Sequence, residues 1–545
     1  FGRTGARPEM MEVQAGSAER RGAVELDAQL APGYAHYRAG RFEEAAASFA
    51  RALALAPQDP AVHHAFGAAL GNLSRLDEAE ICFRRVLAAR PRAIDALVNL
   101  GHVLRRQDRF GEAASFFVRA LAVNPRRADI HNVLGVVFSN LSRHIEAETC
   151  FRRALDIDAN YAEALTNLGV KLRLRDQFSQ AEALHRRALG INGEFADAWW
   201  HLGVTLREAG RLSEAVECYR RAIALAPDHR DANLSLGLGL LAQGDIPAGS
   251  NAYEARWGTG TNRKYPLIDR PLWDGSPMHG RTLLLFAEQG LGDVIQFARF
   301  ANQVRPLVGR LVLRCQKSLC RLMARLPVFD AVFSDADPVP SSDAFIPMMS
   351  LMRVLGTTLE TVPADIPYLA IDSERARHYA ARLAGDGLKA GIVWAGNPNH
   401  AGDRHRSIQL SVLSPLLDVP GVRFFSLQVG PRAGELHQRP FVRRVVDLAP
   451  GLVDFAETAA AVSALDLVIS VDTAVAHIAG ALGLPTWIML PVNADWRWLR
   501  ERRDSPWYPS MRLYRQENFT WDPVIAALRR DLLARSHLSA SAREC

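Results

Sequence analysis

The sequence predicts an α-helical repeat array followed by two α/β units, each built on a parallel sheet. Two observations carry this. Gly33, Gly67, Gly101, Gly135, Gly169, Gly203 and Gly237 recur at intervals of 34 residues, a period that marks stacked helical hairpins. After Gly258-Thr259-Gly260-Thr261 the period disappears. Short apolar runs then alternate with helical stretches, at Thr282 to Ala287, Leu311 to Cys315, Ala390 to Ala395, Val422 to Gln428, Asp466 to Ser470 and Pro485 to Leu490. That alternation is the mark of parallel strands joined by crossover helices.

Within the array, Ala45, Ala79, Ala113, Ala147, Ala181 and Ala215 form a second column in the same frame, and Ala52, Ala120, Ala154, Ala188 and Ala222 a third. Small residues at a fixed position mean that two helix backbones approach closely there. Leu100, Leu134, Leu168 and Leu202 fill the seam beside the glycines, and Phe49, Phe83, Phe117 and Phe151 pack from the second helix of each hairpin. Pro57, Pro91, Pro125 and Pro227 close their repeats, because proline cannot continue a helix. Pro32 implies a shortened or capping first repeat, and Gly249, where alanine is expected, a partial seventh.

These columns resemble the tetratricopeptide repeat. The resemblance implies a concave surface that holds a protein partner, with Asn99, Asn132, Asn167 and His201 facing the groove. The asparagine ladder of nucleocytoplasmic O-GlcNAc transferases is not reproduced, since Ala31, Ala65, Val133, His201 and Ser235 hold the position of Asn99 and Asn167 in other repeats. Capture of an extended peptide and recognition of a folded partner both stay open.

Composition narrows the class. The chain has 545 residues, 48% hydrophobic and 23% charged, with a formal charge of +6. No apolar run is long enough to span a bilayer, and the mild positive charge suits anionic ligands. No nucleic-acid recognition module is apparent. Cys82, Cys150 and Cys218 lie 68 residues apart, one position in alternate repeats, and read as small buried residues; Cys315 and Cys320 lack zinc-site spacing. A reducing cytoplasm fits. The expected division is a tail at 1–25, the array with six repeats and a partial seventh at 26–263, a first lobe at 264–385, a second at 386–530 and a C-terminal tail at 531–545. Gly385 to Gly387 form the expected link between the lobes.

In the first α/β unit, the strand Leu283-Leu284-Leu285-Phe286-Ala287 runs into Glu288-Gln289-Gly290-Leu291-Gly292-Asp293 and then a helix. Glycines at a strand-to-helix turn let a ligand approach the backbone. In the second unit, Leu467-Val468-Ile469-Ser470-Val471-Asp472-Thr473-Ala474-Val475-Ala476-His477 is a buried strand, an acidic and hydroxylated turn, and a helix start.

The second segment, continuing through Ala481-Leu482-Gly483-Leu484-Pro485, resembles the donor-binding turn of the heptosyltransferase family of GT-B glycosyltransferases, and Gly290 to Asp293 resembles that family's N-terminal Gly-Asp motif. Together with the repeats, Trp273-Asp274-Gly275 and Asp504-Ser505-Pro506-Trp507-Tyr508-Pro509, the chain is similar to bacterial tetratricopeptide-repeat glycosyltransferases, flagellin-modifying enzymes among them. The resemblance implies a GT-B fold of two Rossmann-like domains and an inverting transferase needing no metal or other cofactor. Its co-substrate is a nucleotide-sugar, with CMP, UDP and ADP carriers all open. The implied acceptor is a protein, flagellin being the analogue. Two other readings remain: a heptosyltransferase-like enzyme acting on a saccharide, and a non-catalytic scaffold.

Hydroxyl glycosylation needs a base, a site for the departing phosphate, and alignment of the two. Asp293 matches the family's catalytic aspartate and is the expected base, although aspartate at a helix start also serves as a cap. Gln289, Gly290 and Gly292 are expected beside the donor. The backbone of Thr473 and Ala474, with Asp472 and His477, is expected to bind its phosphate. The loop from Asn397 to Ser407 supplies Asn397, His400, Arg404, Arg406 and Ser407 as further donor contacts, and Gln428 is placed against base or ribose.

Overall fold

A computed structural model describes residues 24–257, 269–400, 402–438 and 441–544. The expected N-terminal tail up to residue 23, the Gly258-to-Thr261 junction and Cys545 lie outside the described residues. The chain divides into two compact units, Phe1–Leu202 and Gly203–Cys545, with the boundary inside the helix Ala196–Glu208.

Each described repeat is a pair of helices, such as Ile94–Arg106 with Phe110–Val123 and Ala128–Asn140 with His144–Ile157. The glycine column is steric. A Cβ on Gly135 would sit 2.5 Å from the Phe151 ring, and one on Gly101 2.7 Å from that of Phe117. The partner lies sixteen residues on throughout, and the structure extends that column beyond its phenylalanines. His185 faces Gly169, Tyr219 faces Gly203, and the backbone of Tyr253 faces Gly237. Burial pushes the His185 imidazole down to about 3, so it packs as a neutral ring. A further column of the same period appears in the turn between the two helices. Gly40, Ser74, Asp108, Ser142, Asp176, Gly210 and Gly244 all have positive φ there, the left-handed residue that ends a helix and lets the chain reverse.

The α/β region contains two sheets. In the first, β1 (Met278–Phe286), β2 (Val308–Cys315), β3 (Ala331–Ser334) and β4 (Ala344–Pro347) are parallel in the order β3-β2-β1-β4. In the second, β5 (Leu388–Val393), β6 (Val422–Ser426), β7 (Val445–Asp447), β8 (Leu467–Val471), β9 (Thr486–Leu490) and β10 (Met511–Arg515) run parallel in the order β10-β9-β8-β5-β6-β7. That second order is the doubly wound arrangement, and strand order reverses beside β1 in one sheet and between β5 and β8 in the other. Such sheets open a crevice outside the carboxyl ends of the strands at the reversal. The segments after β1, β5 and β8 are the ones the sequence singled out.

Two expectations are corrected. The expected tail at 531–545 is helical as far as it is described, because the helix Asp522–Glu544 continues into it, with Leu528 and Leu532 buried against the second sheet. The array also does not end as a separate body. Leu212, Val216, Leu240, Leu241, Ile246 and Tyr253 of the last repeats share one core with Val294, Phe297, Met349, Trp498 and Trp507 of the α/β region. Gly244 brings its backbone so close to Leu359 that a Cβ would lie 2.8 Å from that side chain. A truncation inside this stretch therefore cuts a core. A chain starting at Asp269 is expected to aggregate or to lose cooperative unfolding, whereas one starting at Glu194 unfolds in a single sharp transition; calorimetry on the two fragments checks this.

Candidate functional site

The helix Leu291–Phe297 follows β1, and the helix Ala474–Ala481 follows β8. They meet at Gly292, where a Cβ would stand 2.7 Å from His477 Cδ2. The two motifs lie far apart in sequence, and the lobes press them together.

His477 cannot move aside. Its Nδ1 lies 2.9 Å from the Tyr508 hydroxyl, its ring stacks on Trp498 at 5.5 Å, and its Nε2 is 3.9 Å from Asp472 Oδ1. Burial, reinforced by Arg497, Arg299 and Arg406, holds the imidazole well below its usual value, so it is neutral. Thr473 precedes the helix, and its hydroxyl is 3.0 Å from that of Ser470. The first intrahelical donors are Ala476 and His477, both bonding to the Thr473 carbonyl. The N–H groups of Ala474 and Val475 precede them, at the positive end of the helix. Burial and the Asp495 charge raise the Asp472 carboxyl above the usual carboxylate range.

Asp293 uses both oxygens. Oδ2 accepts from the Gly290 N–H at 2.7 Å, so the aspartate does cap its own turn. Oδ1 accepts from Arg497, which also donates to Asp495 Oδ1 and Gln296 Oε1, each at 2.6 Å. Burial pushes the Asp293 carboxyl above the usual range and Arg497 pulls it back. An ionised carboxylate offers about four lone-pair sites, so two engaged directions leave acceptor capacity on Asp293. Arg497 was not legible in the sequence, because Asp495-Trp496-Arg497-Trp498 carries no spacing that marks it. Gln289 contributes its carbonyl, which accepts from Gln316 at 2.6 Å.

The loop after β5 divides. Arg406 is held by Asp403 at 3.1 Å, lies over Gly396, and acts on Asp472, His477 and His400 through its charge. His400 also feels Asp293 and Asp495. Ser407 Oγ accepts from the Gly396 N–H at 2.9 Å and so closes the loop's base. Arg404 is exposed and donates to the His405 ring, and Asn397 accepts from the Asn399 N–H in a local turn. Gln428 is a correction. Its Oε1 accepts from Trp394 and Ala395, and its Nε2 donates to the Ala395 and Val429 carbonyls. The buried amide ties the ends of β5 and β6 together and has no capacity left for a base or ribose. Glu288 faces Arg256 at 3.1 Å and the Met349 N–H at 3.2 Å, with burial pushing it up to about 7.

In the first unit, Asn167 donates to Asn132 at 2.9 Å, and Asn99 lies 3.2 Å from His64. These side chains link adjacent repeats in pairs. His201 stacks parallel to His185 and lies against Trp200. Among the described residues no cluster of three or more histidine, cysteine or acidic side chains could hold a metal ion, and no helix is long and apolar enough to cross a membrane.

Comparison with known proteins supports the repeats directly. Residues 29–144 match the middle TPR-like domain of cilia and flagella-associated protein 70, and residues 128–161 and 196–229 match tetratricopeptide repeats. Protein FlbA of Caulobacter vibrioides is 29% identical over 328 residues, covering 54% of this chain and 54% of its own length. The chain thus matches about half of that relative. Among solved structures, YrrB, described as a TPR protein with an unusual peptide-binding site, is 24% identical over 34% of this chain and 95% of its own, with a TM-score of 0.28. PilF of Pseudomonas aeruginosa is 19% identical over 39% of this chain and 96% of its own, with a TM-score of 0.34. The chain therefore contains tetratricopeptide repeats and an α/β region of parallel sheets, an arrangement suited to engaging a protein partner.

The contact at Gly292 is testable without any ligand. Gly292→Ala must displace a pinned ring, and overpacking of this kind costs roughly 1–3 kcal/mol. Gly71→Ala, where nothing lies within 4 Å of the added carbon, is expected to be neutral or slightly stabilising. Denaturant unfolding of both variants gives the comparison.

Proposed function

We propose that the α/β region is a GT-B glycosyltransferase that moves a sugar from a nucleotide-sugar to a serine or threonine hydroxyl of a protein recruited by the repeats. The observation that supports this reading best is the meeting of the Gly292-Asp293 turn and the His477 helix where both sheets reverse their strand order. A donor there would place its phosphate on the N–H groups of Ala474 and Val475, with Arg406 and the His477 Nε2 beside it. The acceptor oxygen attacks the anomeric carbon as the bond to the nucleotide breaks, Asp293 takes the hydroxyl proton, and the nucleotide leaves with the bonding electron pair. The configuration inverts. The donor nucleotide is CMP, UDP or ADP, and our first acceptor candidate is flagellin, with a CMP-linked nonulosonic acid as donor. The site of action is the cytoplasm, where nucleotide-sugars and reduced thiols coexist.

A second reading, a binding module without catalysis, draws on the engagement of both Asp293 oxygens. The two readings separate on one substitution. General-base assistance is worth roughly 100- to 10,000-fold, whereas the amide oxygen of an asparagine can still accept the Gly290 N–H that Asp293 Oδ2 accepts. Asp293→Asn is expected to stay folded, keep nucleotide affinity and lose at least about 100-fold in transfer at saturating substrates. Near-normal transfer would remove Asp293 from the mechanism.

Nucleotide binding is checked separately by melting. A ligand at a hundred times its Kd stabilises the native state by about 2.7 kcal/mol, so the matching nucleotide raises the Tm of the wild-type chain. His477→Ala and Arg406→Ala are expected to shrink that rise, each having lost a donor to an anionic oxygen. An undiminished rise in both variants would place the donor elsewhere.

A further inference from the structure

The ion pair at Asp293 is assembled from two lobes. Asp293 and Gln296 belong to the helix Leu291–Phe297 of the first lobe, while Arg497 and Asp495 belong to the loop after β9 of the second. Arg497 is nearly enclosed. Its guanidinium lies 4.6 Å from the Trp496 ring centroid, its Nη2 is 4.0 Å from the Met349 sulfur, and its hydrogen bonds go to Asp293, Asp495 and Gln296. Arginine stays protonated throughout the accessible pH range. A carboxyl enclosed by protein tends to keep its proton unless a cation stands beside it, and a protonated Asp293 could not take up the proton of a hydroxyl.

We infer that Arg497 is a positioning residue for Asp293, supplying from the second lobe the fixed positive charge that keeps the carboxylate ionised and aimed within the closed cleft. This rests on the reading of Asp293 as the base. The base is then a product of both lobes, since neither sheet carries the acid and its cation together. Gln296 fixes the guanidinium from the acid's own helix, and Asp495 fixes it from its own loop, so Arg497 is aligned from both sides. The guanidinium lowers the basicity of Asp293 and in exchange secures its charge. The other titratable groups whose charges reach Asp293 are Asp495, Tyr253 of the last repeat helix and His400 of the loop after β5, while the neutral His477 ring packs against Gly292.

Stability against pH tests this without any donor. A carboxyl whose folded pKa lies above its unfolded value contributes stability that is present at low pH and lost as pH rises through the folded value. Removing Arg497 raises Asp293 further, so Arg497→Gln is expected to lose more Tm than wild type between about pH 4 and pH 8. In an Asp293→Asn background the same substitution should add no such pH-dependent loss. With activity, Arg497→Gln should lose at least about tenfold more kcat/KM than wild type on going from pH 8 to pH 6, and Arg497→Lys should recover most of it. Identical pH dependence of Tm for Arg497→Gln and wild type, or a difference that persists in Asp293→Asn, overturns the inference. Should Arg497→Gln fail to fold, Gln296→Leu, which loosens the guanidinium without removing it, is compared in its place under the same criterion. Coupling without transfer by the wild-type chain would sink the transferase reading alone; transfer without coupling would sink this inference alone.

Discussion

The site depends on one close approach. Helix Leu291–Phe297 of the first lobe meets helix Ala474–Ala481 of the second with no space for a Cβ at Gly292. Given that contact, Tyr508 and Trp498 can pin His477 from behind, and Arg497 can reach across to Asp293. Each of these groups is expensive to bury by itself. A guanidinium, a carboxylate and an imidazole taken from water need partners at short range; Arg497 and Asp293 find each other across the lobes, and His477 finds Tyr508 within its own.

The repeats use the same steric device many times over. A glycine in the first helix admits the ring of the second, and the ring fills what would otherwise be a void. Phenylalanine, histidine and tyrosine all serve, because the position asks for a flat ring and the backbone clearance that only glycine gives. Tyr253 is the point at which the two halves of the chain merge. It continues the aromatic column of the array, and it is also buried in the core that carries Val294 and Trp498. The last repeats and the α/β region are therefore joined by packing.

Legibility in the sequence followed position in the sheet. The strands read from apolar runs, β1, β2, β5, β6, β8 and β9, hold the centre of their sheets or are largely enclosed. Those missed are β3, β4, β7 and β10. Ala331–Ser334 has four half-buried residues, Val445–Asp447 has three residues, and Met511–Arg515 is an edge strand with Arg512 facing out. Edge position and short length remove the unbroken apolar run that marks a buried parallel strand. The column of positive φ between the repeat helices was equally hidden, since glycine, serine and aspartate share it and no single letter repeats.

The sequence by itself determined the period of the array, the change to parallel α/β units, and the turns after β1 and β8. All of these are properties of neighbours along the chain, where spacing and side-chain type suffice. Tertiary structure alone decided which charges meet. It placed Arg497 on Asp293, spent Gln428 on two strand ends, turned Arg404 onto His405 and paired Arg406 with Asp403. Charged and amide side chains look alike in a sequence, and their roles are set by the partners that folding supplies, which for Asp293 come from 204 residues away.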